Sequence, residues 1–66
     1  MIIRAIVKRT KQVVFLRKPV EGEYLSAIYE PDYIQIDENY NPILSERGTY
    51  IPFDYEDLED IQYINL

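Results

Sequence analysis

The chain has no cysteine and no histidine. Disulfides and the usual zinc ligands are thereby excluded, although domains this small commonly depend on one or the other. The commonest general base and the thiol nucleophile are gone as well. What remains for nucleophilic chemistry is Ser26, Ser45, Thr10, Thr49 and the tyrosines, none beside an evident base. Paired carboxylates could serve a glycosidase, but such an enzyme needs a cleft that separates them by about 5 to 9 Å. A chain of 66 residues offers little material to build one. No catalytic residue is assigned and no enzymatic activity is expected.

Glycine is scarce too: with only Gly22 and Gly48 the chain holds neither a P-loop nor a dinucleotide-binding fingerprint, so no cofactor is expected. No apolar run approaches the roughly 20 residues of a membrane span. The opening "MIIRAIVKRTK" is broken by Arg4 and Lys8 and lacks a small-residue cleavage site. These absences lead to the expectation of a soluble cytoplasmic protein without membrane association. Composition is otherwise that of a folding chain, with 47% hydrophobic and 29% charged residues. One domain spanning 1–66 is expected, and without staples its stability is expected to come from a closed barrel or from a homodimer.

Positive charge is missing from most of the chain. Arg4, Lys8, Arg9, Lys11, Arg17 and Lys18 all precede residue 19, and beyond it Arg47 alone stands against twelve acids. The first segment alone could attract phosphate, whereas the net charge of −5 repels nucleic acid and favours basic protein partners. The simplest alternative is mutual neutralisation across adjacent strands.

Residues 2 to 9 alternate Ile3, Ala5 and Val7 with Ile2, Arg4, Ile6 and Lys8, a strand pattern. "QVVFLRK", 12 to 18, is β-branched and aromatic, and the short Arg9-Thr10-Lys11 link predicts a hairpin with its middle covered on both faces. "EYLSAIYE", 23 to 30, alternates between the breaks at Gly22 and Pro31 and reads as a further strand. "YIQID", 33 to 37, places Ile34 and Ile36 on one face. "TYIPF", 49 to 53, is a brief strand that Pro52 ends or confines to an edge.

The most distinctive stretch is "FDYEDLEDIQYI", 53 to 64. Asp54 is a plausible cap with Asp57 three residues on. In a 3₁₀ turn side chains eclipse every third residue, which separates Tyr55, Leu58 and Ile61 from Asp54, Asp57 and Asp60 and from Glu56 and Glu59. The first stripe is expected to face the core. "IQYINL" then alternates as a final strand, with one helix over 54–64 as the competing reading, since Leu58, Ile61 and Ile64 also suit one helical face.

Several short strands and a single helical turn before the last of them predict a mainly β fold. The expectation is a small antiparallel barrel or curled sheet of five to six short strands, with an α+β fold carrying a C-terminal helix as the alternative. The ordering resembles SH3-like and Sm-like barrels, which also place a 3₁₀ or short helical turn next to a strand; the resemblance is one of architecture and carries no functional residue with it.

Two stretches invite a metal. "DENYN", 37 to 41, copies the opening of an EF-hand loop, but Pro42 stands where glycine permits the sharp turn and Gly48 where the bidentate glutamate belongs. The Asp54, Asp57, Asp60 stripe could hold Ca²⁺ or Mg²⁺ loosely, but reads more simply as a solvated face, and no metal site is assigned. The favoured function is a non-enzymatic regulator or inhibitor that binds a basic protein surface through Asp54, Glu56, Asp57, Glu59 and Asp60, with tyrosines contributing amphipathic contacts. Such a surface could imitate a nucleic-acid backbone. The alternative is nucleic-acid binding by the basic hairpin through Arg4, Lys8, Arg9, Lys11, Arg17 and Lys18. Small size and a start at Met1 suit an accessory protein of a phage or other mobile element, and homodimerisation through the edges of "YIQID" and "TYIPF" or through tyrosines is a further expectation.

Overall fold

The alternation read from residues 2 to 17 becomes a hairpin that seeds the sheet. A computed structural model describes residues 1–23 and 30–65. Strands β1 (Ile2–Val7) and β2 (Val13–Arg17) pair antiparallel with Ile3 opposite Leu16 and Ala5 opposite Val14. Partners in an antiparallel pair share a face, and these four are buried. Strands β3 (Tyr33–Gln35), β4 (Pro52–Phe53) and β5 (Leu58–Ile64) complete one open five-stranded antiparallel sheet in the order β4-β3-β2-β1-β5. The fold is mainly β, and a 3₁₀ turn at Tyr55–Asp57 immediately precedes β5. The expected strand at 23–30 falls largely on residues 24–29, outside the described residues. Among the described residues no helix is long and apolar enough to cross a membrane.

The core is a single cluster of Ile3, Ala5, Val14, Leu16, Tyr33 and Leu58, with Val7, Phe53 and Ile61 packed against it. It gathers side chains from all five strands onto one face. Ile34 and Ile36 are also buried. Ile34 pairs with Arg17 rather than with a core-facing residue, so it lies on the opposite face of β3. "YIQID" is therefore interior, flanked by β2 and β4, and supplies no free edge. The exposed edge on that side is β4, where Pro52 has no N–H to offer a further strand.

One expectation about β2 is overturned. Its middle is covered on one face only: Val14 and Leu16 are buried, whereas Val13 and Phe15 are 41% and 46% exposed. Strict alternation of a one-sided strand produces this, the outward residues being apolar but unburied.

The three-residue rhythm near the carboxy end has two causes where the sequence reading assumed one. The 3₁₀ turn stops at Asp57, and Leu58 is already extended, with φ −115° and ψ 148°. Leu58 then pairs with Val7 and Glu59 with Ile6, but Gln62 pairs with Arg4. Three steps on β5 thus match two on β1, which is a β-bulge opposite Ala5. Asp60, inside the bulge, adopts the left-handed region at φ 51°, a conformation aspartate tolerates better than most residues. The extra residue returns Ile61 to the core face three positions after Leu58. The helix over 54–64 is excluded because this spacing comes from a bulged strand.

Tyr55 is the member of the stripe that fails. Leu58 is 4% exposed and Ile61 packs on the core, but Tyr55 is 54% exposed. Replacing Leu58 by Ala is expected to cost about 2 to 5 kcal/mol by cavity formation, and Tyr55→Ala less than about 1 kcal/mol. Chemical denaturation of both variants measures the contrast, and equal losses would contradict the assigned faces. At the bulge, Asp60→Val is expected to cost about 1 to 3 kcal/mol through backbone strain, with Asp60→Gly costing nothing.

Candidate interaction surface

The turn at 54–57 is held by groups far away in sequence. Asp54 is extended at φ −80° and ψ 149° and makes no side-chain capping bond. The first turn N–H, that of Tyr55, instead donates to Asp32 Oδ2 at 2.9 Å. An acid 23 residues upstream, just before β3, thus performs the capping expected of Asp54. No local signal marks Asp32 for this role. The backbone N–H of Asp57 donates to the Asp54 carbonyl at 2.9 Å, and that of Lys8 donates to the Asp57 carbonyl at 3.0 Å. The second bond fixes the turn against the end of β1.

This anchoring places acids beside cations. Lys8 and Arg9 line one hollow, of about 300 Å³, together with Val7, Pro52, Phe53, Glu56 and Asp57. Among the five acids expected to bind a partner, Glu56 and Asp57 are exposed on the turn and Asp54 is half-buried beside them. Glu59 points to the outer face and pairs with Lys11 Nζ at 2.6 Å. Asp60 is exposed within the bulge. The expected Asp54, Asp57, Asp60 stripe does not form, because the 3₁₀ turn ends before Asp60.

The six early cations are likewise dispersed. Arg17 donates from Nη1 and Nη2 to the two oxygens of Glu23, each at 2.9 Å, and from Nε to the Tyr40 carbonyl at 3.2 Å. Arg4 sits mid-strand on the outer face between Phe15 and Gln62. Lys18 lies beyond β2, lining a hollow with Tyr33 and Tyr63. Among the described residues the ion pairs are Lys11–Glu59 and Arg17–Glu23.

Tyrosines mark the other end of the core face. Burial, and then the hydrogen bond shared with Tyr63, push the Tyr33 hydroxyl above the ordinary tyrosine range, with the nearby charges of Tyr63, Asp32 and Tyr55 acting in the same direction. Tyr63 is 57% exposed. Tyr33 thus has Tyr63, Asp32 and Tyr55 around it, a grouping that the separate stretches "PDYI" and "FDYEDL" do not announce.

The EF-hand-like stretch is a turn. Asp37 Oδ1 accepts the N–H groups of Asn39 and Asn41 at 2.8 and 3.0 Å, and Ile36 bridges to Pro42. Among the described residues no three acids are grouped to hold a metal ion.

Glu23 is the buried carboxylate of the structure's described part. The hydrogen bonds from Arg17 hold its carboxyl below the usual glutamate range, although burial opposes them; the Val20 N–H and the Arg17 charge add to the lowering. A depressed folded pKa means stability that is present above the unfolded value and lost as pH falls through the folded one. Glu23→Gln is therefore expected to cost about 1 to 3 kcal/mol at neutral pH. The gap between wild type and variant should close below about pH 4. Denaturation curves at several pH values measure this, and a gap that widens in acid would contradict the pairing.

The sequence matches no protein-family model, no curated protein and no solved structure.

Proposed function

We propose that the chain is a small non-enzymatic regulator or inhibitor that binds another protein through the turn at 54–57 and the beginning of β5. The observation that supports this reading is Tyr55. The residue is 54% exposed while its backbone is held by Asp32, so an aromatic anchor stands on a fixed turn. Asp54 and Glu56 flank it in the chain, Asp57 shares its turn, and Asp32 bonds its backbone. A rigid tyrosine amid acids suits an arginine- and lysine-rich protein surface, because the ring takes the apolar and cation–π contacts and the acids steer the encounter. Glu59 and Asp60 lie at the rim, the former already neutralised by Lys11.

The scaffold belongs to the same proposal. We read the sheet as curling toward an SH3-like or Sm-like barrel. The strand order and the 3₁₀ turn before β5 support that reading, since the turn at 54–57 alone carries the chain from one edge strand, β4, to the other, β5.

Nucleic-acid binding by the first hairpin stands as a second reading, favoured by one observation: Arg4, Lys8, Arg9 and Lys18 make no ion pair among the described residues. Their spread over different faces, and the acids beside Lys8 and Arg9, weigh against it. Gel retardation of single- and double-stranded DNA and RNA at low ionic strength is expected to show no binding. Salt-sensitive retardation that is abolished by Lys8→Glu would favour the second reading instead.

The protein-binding reading is tested by capture from a native lysate with wild type, Tyr55→Ala and Glu56→Lys/Asp57→Lys. Wild type should retain a basic protein that both variants lose, each by roughly 30-fold or more if the turn is a hot spot, with melting temperatures nearly unchanged. Equal retention by all three proteins would sink the reading.

A further inference from the structure

The outer face of β5-β1-β2 carries an apolar strip that is only partly buried. Register places Ile2, Ile6, Val13, Phe15 and Ile64 on it together. Val13 and Phe15 are exposed and the isoleucines half-buried. Beside Phe15 lies a hollow of about 310 Å³ lined by Ile2, Ile36, Tyr40, Asp37 and Glu38. The proposed turn surface uses none of these residues.

We propose that this face binds a second copy of the chain, forming a two-fold dimer in which the two sheets stack and Phe15 of each copy enters the hollow of the other. Three observations carry the proposal. The first is continuity. The apolar strip runs across three adjacent strands, from Val13 and Phe15 on β2 through Ile2 and Ile6 on β1 to Ile64 on β5, and joins the hollow lined by Ile36 and Tyr40.

The second is charge. Arg4 stands within the apolar strip, while Asp37 and Glu38 border the hollow. A face that carries both signs around an apolar centre is self-complementary under a two-fold axis, where each Arg4 meets an acid of the other copy. A partner with a single sign of charge would match only half of it.

The third is the state of the sheet edges. Pro52 removes a donor on β4 and the bulge at Asp60 kinks β5. Both devices discourage strand addition. Self-association is thereby directed to the face and away from the edges where the sequence suggested it.

Light scattering and sedimentation of the full chain from low to high micromolar concentration test this. The expected result is a mass rising toward twice 7.9 kDa. Association should strengthen from low to high salt, because apolar burial persists while repulsion between two acidic chains is screened. Phe15→Glu should weaken it at least ten-fold with a folded circular dichroism spectrum, and Val13→Lys provides a second disruption if Phe15→Glu does not fold. Phe15→Leu should retain it, and Tyr55→Ala should leave it unchanged, which separates this interface from the turn surface. A monomer at the highest concentration would overturn the proposal, as would a dimer that persists in folded Phe15→Glu or Val13→Lys.

Discussion

The pairing of the first strand with the last is the constraint on which the rest of the structure depends. β1 is an interior strand because β5 crosses back to it, with Ile3 opposite Tyr63 and Val7 opposite Leu58. That pairing buries Leu58 and sets Ile61 against the core. It also carries the 3₁₀ turn to the end of β1, where the Lys8 N–H can reach the Asp57 carbonyl. The bulge at Asp60 adjusts the fit: without the extra residue, period two would send either Leu58 or Ile61 to solvent. A strained aspartate is the local cost of keeping both inside.

The same pairing resolves the charge asymmetry of the chain. Cations at the front and acids at the back become neighbours once β5 lies on β1, as Lys11 with Glu59 and as Lys8 and Arg9 beside Glu56 and Asp57 show. Among the described residues the pair shielded from water, Arg17–Glu23, is local and does different work. It ties the loop after β2 to the sheet, and through Nε and the Tyr40 carbonyl it holds the turn at 37–41 as well. Buried charge is tolerated there because both carboxylate oxygens and the guanidinium are hydrogen-bonded.

Much of the sheet was legible in the sequence because alternation is a local signal. The hairpin of β1 and β2, the strand at Tyr33–Gln35, the short edge at Pro52 and the helical turn before the last strand follow from residue spacing and from Pro52. The same signal could not tell a covered outer face from a bare one, so Val13 and Phe15 were misplaced: apolar character says that a side chain prefers burial, not that a partner surface exists. Tyr55 was misread because a three-residue period was extended through a turn and a bulge as though they were one element. Asp32 was invisible, since its role depends on a backbone N–H supplied 23 residues later. For the candidate surface, the acids and the tyrosine were identifiable by type, but the cations that share their hollow were not.

The long reach from β5 to β1 also shapes how the molecule must assemble. Contacts between segments more than fifty residues apart demand that a large loop close before any reward is collected, which places the domain among slow-folding β topologies despite its size. Until β5 arrives, one flank of β1 is a bare row of amide and carbonyl groups edged by isoleucines. A nascent or clipped chain that lacks its last strand therefore exposes a sticky template, and the interval before closure is when misassembly threatens most.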